Sequence, residues 1–278
     1  MIKSISIWAF PGGIEGLEPA EAMEKAKKLG FDAIELAINE RQHLSPASNE
    51  AYCRRVKEAA KAIGVRIASV ACGLGWSNSL SDPNARKRKA AVKLHAKCLE
   101  ITRWLGTDAM LVVPGYVHIP WEPKAPVVPY DLAYRLVKQS LRELGSIAEK
   151  LHVHACCEMV WNGMLYSPLE FQRLLTEVGS RYVNFYFDTA NMMAFGYPEQ
   201  WVSILGKRIK RVHFKDYQRD PGGLASFCDL LKGDVNYPAV MKALRAIKYT
   251  GAVTLETFNR ADADLRKESR TIDKILKM

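Results

Sequence analysis

Five polar residues stand where apolar runs are interrupted or end: Glu35 in AIEL, Glu158 in HACCEMVWN, Asp188 in NFYFDTAN, His213 in RVHFKD and Glu256 in VTLETFN. An ionised carboxylate is costly to bury unless it is paired or bound to a metal. Four carboxylates gathered around one imidazole would repel one another, and a divalent cation removes that repulsion. Glu158, Asp188, His213 and Glu256 offer three oxygens and one nitrogen. That donor set suits manganese, taken first here, or magnesium, cobalt or zinc, better than a thiolate-selecting metal. Glu35 has a simpler alternative, an ion pair with a lysine. The six cysteines show no CxxC spacing, so they are expected to be reduced core residues without a function.

The elements that must bring these residues together follow one rhythm. Short β-type runs occur at ISIWAF, FDAIELAI, VRIASVAC, DAMLVVPG, VHACCEMV, VNFYFDTA, IKRVHFKD and GAVTLETF. Segments of helical period lie between them, such as EPAEAMEKAKKLG, NEAYCRRVKEAAKAIG and YDLAYRLVKQSLRELGSIAEKL. Several start after Ser or Asn and stop at Gly, the usual helix punctuation. Eight strand–helix repeats in 278 residues predict an α/β fold, a (β/α)8 TIM barrel, with residues 1–278 forming one domain. A doubly wound nucleotide-binding sheet is disfavoured because no strand is followed by GxGxxG. In a barrel the strand C-termini converge on one site, which is where the five residues fall. The stretch VPGYVHIPWEPKAPVVPY holds five prolines between Pro114 and Pro129 and is expected to cover one end of the barrel.

Composition narrows the setting. A net charge of +10 and a pI near 9.3 fit either nucleic acid or anionic small substrates. The basic stretch ARKRKAAVKLHAKCLEITRW places Ala91, Leu94, Cys98, Ile101 and Leu105 on one helical face, so its charges are expected to be a solvated surface. The first residues hold too few apolar positions for a signal peptide, and no run approaches the roughly 18 needed for a membrane span. A cytoplasmic protein with no membrane partner is the expectation.

From CCEMVWN through FDTANMMAFGYPEQWVSILGKRIKRVHFKDYQRD to LLKGDVNYPAVMKALRAIKYTGAVTLETFN, the sequence resembles the xylose isomerase-like TIM barrel superfamily, in the branch of sugar and sugar-phosphate isomerases and epimerases that contains the ketose 3-epimerases. The resemblance implies metal ligation by Glu158, Asp188, His213 and Glu256. It implies a substrate-holding role for Arg219, six positions after the histidine, and a site-lining role for Glu35. It also matches Gly233, Asp234 and Val235 to a GDV-type stretch before the last helix of the matched region. Asn162, Asn191, Lys215 and Trp8 join the candidate substrate contacts, and Trp76 a candidate pocket wall. A small sugar or sugar phosphate is the implied partner, nucleic acid is not, and a homodimer or homotetramer is usual.

With a ketose held by its carbonyl and a neighbouring hydroxyl, an adjacent cation acidifies the C–H beside the carbonyl. Glu158 and Glu256, arriving from different strands, then flank that carbon as base and acid. Removing the proton on one face and returning it on the other inverts the centre through an enediolate. Two positions depart from the free-ketose pattern: Asn191 stands where many such enzymes have histidine, and Met164 where a second glutamate is expected. Asn191 matches the ketose-5-phosphate branch instead. The same machinery permits a lyase or dehydratase acting on an inosose, keto-sugar or keto-glycoside. A metal-dependent apurinic endonuclease shares the fold but uses several zinc-binding histidines, and of His43, His95, His118, His152, His154 and His213 only the last falls on the relevant strand end. A non-catalytic sugar-binding barrel would leave the ligand set incomplete.

Overall fold

In the computed structural model, which describes residues 1–278, the eight expected runs are eight parallel strands that close on themselves. Seven come in sequence: β1 (Ile2–Ser6), β2 (Ala33–Ala37), β3 (Arg66–Cys72), β4 (Ala109–Val112), β5 (His154–Glu158), β6 (Val183–Asp188) and β7 (Ile209–Phe214). A small antiparallel hairpin, β8 (Asp216–Tyr217) and β9 (Phe227–Cys228), follows β7, and β10 (Ala252–Leu255) completes the ring between β7 and β1. The structure is therefore the (β/α)8 barrel that the repeat predicts.

The helices around it are α1 (Pro19–Lys28), α2 (Glu50–Ile63), α3 (Ala85–Leu105), α4 (Tyr130–Leu151), α5 (Pro168–Val178), α6 (Pro198–Leu205), α7 (Tyr237–Ala246) and α8 (Asp262–Lys277). Their ends are written locally. Asn49 accepts the Tyr52 N–H to open α2, and Gly64, at φ +76°, closes it in a conformation that costs glycine nothing. Proline occupies the first turn of α1, α5, α6 and α7, where its missing N–H is not needed. In α3 the residues Ala91, Cys98, Ile101 and Leu105 are buried and Leu94 packs against the core, which leaves most of the basic side chains on the outer face as expected.

Strands covered on both faces need continuous apolar runs, and β2, β4 and β6 are buried at every position. Against that background each polar residue in the barrel requires a partner. At the N-terminal end Arg211 donates to the Ala68 carbonyl and pairs with Asp108. At the seam Lys3 pairs with Asp273 of α8 at 2.8 Å. All six cysteines are free, five of them buried. No helix is long and apolar enough to cross a membrane.

Candidate metal centre and its cavity

Glu158 is the last residue of β5, Asp188 the last of β6, His213 the penultimate residue of β7, and Glu256 follows β10 directly. One ligand atom from each lies within 4.8 Å of the others, and all four residues are buried. His213 Nδ1 faces Glu158 Oε1 at 3.3 Å, Glu256 Oε2 at 3.6 Å and Asp188 Oδ2 at 4.0 Å. Asp188 is oriented by its own turn: Oδ1 accepts the N–H groups of Ala190 and Asn191, both at 2.7 Å. Its Oδ2 is buried and makes no hydrogen bond. Three buried carboxylates around one imidazole nitrogen, one oxygen still unbonded, fit a divalent cation with oxygen and imidazole ligands.

Beneath this cluster lies a second set of contacts. His213 Nε2 meets Glu35 Oε1 at 2.9 Å, and Glu35 Oε2 accepts the hydroxyls of Tyr186 at 2.5 Å and Ser69 at 2.9 Å. The tautomer that donates Nε2–H to this carboxylate leaves the Nδ1 lone pair aimed at the cluster, the arrangement that fixes a histidine when a metal is bound. Both braces sit at irregularities of the sheet, since the β2–β3 register shifts between Ile34 and Glu35 and the β6–β7 register between Phe185 and Tyr186. Such shifts re-aim a side chain beside a site.

Lys215 is the cation of the cluster. It donates to Glu256 Oε2, stands 3.4 Å from Asp188 Oδ2, and lies over the rings of Phe227 and Phe258 at 4.8 and 5.9 Å. These contacts separate the two glutamates. Burial raises the Glu158 carboxyl to about 7 against the pull of His213. Burial also opposes ionisation of Glu256, but Lys215 and His213 outweigh it and hold that carboxyl at about 2. Burial opposes the His213 cation too, yet Glu35 and Glu256 push its affinity for a proton well above the ordinary range.

A cavity of about 1050 Å³ opens above the cluster. Glu158, Glu256, Asn191, Lys215, Trp8 and Trp76 all line it. Asn191 Nδ2 approaches Glu158 Oε1 at 3.4 Å, and the Pro-rich loop contributes Trp121 to the wall.

Three of the expected contacts lie away from the cavity wall. Glu35 neither pairs with a lysine nor reaches the cavity wall, because it lies mid-strand rather than at the strand end and is fully buried against His213, Tyr186 and Ser69. Asn162 is a brace between loops, its amide donating to Gly115 O at 2.7 Å and accepting from Met164 N, and it does not line the cavity. Arg219 lies outside the cavity, where its guanidinium donates to Gly196 O at 2.6 Å and stacks on Tyr197 at 4.6 Å. Its backbone N–H is held by Asp234, so the GDV stretch anchors that loop instead of contacting the cluster.

Sequence reasoning did not single out Trp161, Phe227, Phe258, Glu268 and Asp229 of the wall, nor Tyr186 and Ser69 of the brace. Trp161, three residues past Glu158 in EMVWN, and Phe258, two past Glu256 in ETFN, had a signal nearby.

A family model described as xylose isomerase-like TIM barrel matches residues 23–275. The chain belongs to that family. It is similar to D-psicose 3-epimerase of Agrobacterium fabrum (strain C58), at 26% identity over 245 residues, 85% of this chain and 78% of that protein. Among solved structures, a D-psicose 3-epimerase with D-tagatose from Clostridium cellulolyticum H10 shares the fold at TM-score 0.83 and 18% identity over 99% of both chains. A 3-keto-D-glucoside 4-epimerase from E. coli does so at TM-score 0.79 and 18% identity over 100% of both chains. These relatives are epimerases, enzymes of the isomerase class, and their substrates are small sugars.

Proposed function

We propose that residues 1–278 act as one cytoplasmic enzyme domain, a divalent-metal-dependent sugar epimerase that inverts the carbon beside a carbonyl, in the first place C3 of a ketose. Glu158, Asp188, His213 and Glu256 would hold the ion, with manganese the first to try. When bound, the ion supplies positive charge to the carbonyl and hydroxyl oxygens of the sugar and so acidifies the neighbouring C–H.

The observation that carries this reading is the pair Glu158 and Glu256. They reach one cavity from β5 and from the end of β10, and so can flank one carbon of a bound sugar. Two carboxyls so placed divide acid and base roles. One takes the proton from the sugar carbon. The other returns one to the opposite face. Asn191, beside Glu158, is placed to hold a sugar hydroxyl.

The test is proton NMR in deuterium oxide of the manganese-loaded protein with ketoses, ketose phosphates and keto-glycosides. Deuterium should enter beside the carbonyl as an epimer forms, and Glu256→Gln should abolish the exchange while the barrel stays folded. Exchange in that variant at the wild-type rate would remove Glu256 from the chemistry. An unsaturated keto-sugar as product would make the protein a lyase with the same base.

A further inference from the structure

The cavity is much larger than a single sugar requires. Its volume of about 1050 Å³ lies at the upper end of the range that encloses a drug-sized molecule, whereas a ketohexose has only roughly a dozen non-hydrogen atoms. The additional space is apolar. Trp76 and Trp121 meet edge to face at 4.6 Å on its wall, and Trp8 lies 6.2 Å from Phe258. Trp121 and Phe258 are 51% and 48% exposed, so this aromatic part is the rim, while Glu158 and Glu256 form the deep end. An apolar patch of this kind, rimmed by polar residues, is costly to leave in water and marks a binding surface.

The charges on the wall point the same way. Beyond the metal ligands, Glu15, Glu40, Asp229 and Glu268 face the cavity. Of its cations, Lys215 is taken by Glu256 and Asp188, and Arg260 by Asp229 at 2.6 Å, which leaves Arg41. A phosphate would meet an excess of carboxylates. Arg219, the residue implied to hold the oxygens of a free ketose, is turned toward Gly196 and Tyr197.

We infer that the substrate is a keto-glycoside whose aglycone is itself a flat ring, with the keto-sugar at the deep end and the aglycone seated on the Trp76–Trp121 pair. The inference rests on the epimerase reading for its keto group and on the cavity for its second ring. Aromatic faces contribute apolar contact area with a defined geometry, and two of them suffice for a preference of about tenfold over the bare sugar.

Calorimetry on the manganese-loaded protein tests it with glucose, glucose 6-phosphate, cellobiose and phenyl β-glucoside. Phenyl β-glucoside should bind about tenfold more tightly than glucose. Tightest binding of cellobiose, whose second ring is a puckered sugar, overturns the flat-ring aglycone. In Trp76→Ala/Trp121→Ala the ratio of glycoside to glucose affinity should fall toward one. Trp121→Ala alone, at an exposed position, should lower the ratio without endangering the fold. Equal affinity for glucose and both glycosides, or tightest binding of glucose 6-phosphate, overturns the inference. Deuterium exchange on a 3-keto-glucoside reads the chemistry separately. No exchange with the ring preference intact defeats the epimerase reading and leaves the second-ring site standing, whereas exchange without ring preference defeats the site and leaves the epimerase.

Discussion

His213 is held from both sides. Three carboxylates approach Nδ1 and Glu35 takes Nε2, itself fixed by Tyr186 and Ser69. Removing the charge behind a metal-binding histidine typically weakens the metal by about 10- to 100-fold. Glu35→Gln keeps the shape and loses the charge, so manganese affinity measured by calorimetry should drop within that range. An affinity equal to wild type would show that Glu35 only fills space. The cluster of Glu158, Asp188, His213 and Glu256 was legible in the sequence because each breaks or ends an apolar run, and a charge in that position has few tolerable environments. The directions of Asn162 and Arg219 were not legible. Both lie in loops, where the number of residues after a strand end does not determine which way a side chain turns.

Among the elements, the loop after β7 depends most on a single side chain. Asp216 is fully buried and accepts backbone N–H groups from Tyr217, Leu231 and Val235. Gly233 lies so close that a Cβ there would stand 2.3 Å from Asp216 Oδ1 and 2.6 Å from the Tyr217 backbone. That proximity explains why an aspartate follows His213 at the strand end: it folds the loop that carries Phe227, Asp229 and Leu230 to the cavity. Gly233→Ala should therefore cost about 2 kcal/mol, measured by urea denaturation, because backbone rather than a flexible side chain must move. A neutral result would mean that the loop has room to shift. The eight barrel strands were legible as apolar runs of fixed spacing. The hairpin of β8 and β9 was not, since two residues per strand carry no periodicity, and α6 spans only eight residues, too few for a clear stripe.

At the scale of the whole molecule, the ring is closed by β1 against β10, and α8 covers that seam. Glu268 of α8 is buried beneath the loop, accepts the Leu230 N–H at 3.3 Å and faces Asp229. Burial, with the Asp229 charge adding to it, raises its carboxyl from 4.5 to about 7. A carboxyl raised on folding contributes stability that is fully present below the unfolded value and is lost as pH rises through the folded one. Between pH 4.5 and 7 the unfolded chain gives up this proton while the folded chain retains it, so stability should fall across that window. Glu268→Gln should remove this part of the loss. Its advantage in thermal melts should grow from pH 5 to pH 8 and reach about 1 kcal/mol, the shift being discounted for solvation from the cavity side. An advantage independent of pH would assign the effect to packing.

The ligand brace and the aromatic rim belong to different parts of the chain. Glu35, Tyr186 and Ser69 lie within strands, whereas Trp8, Trp76, Trp121 and Phe258 sit on connections past strand ends. Evolution can therefore alter which molecule enters without revising what happens to it. Descendants of this chain with new preferences should have changed in those connections, and a laboratory library confined to them should yield altered selectivity at little cost in metal retention.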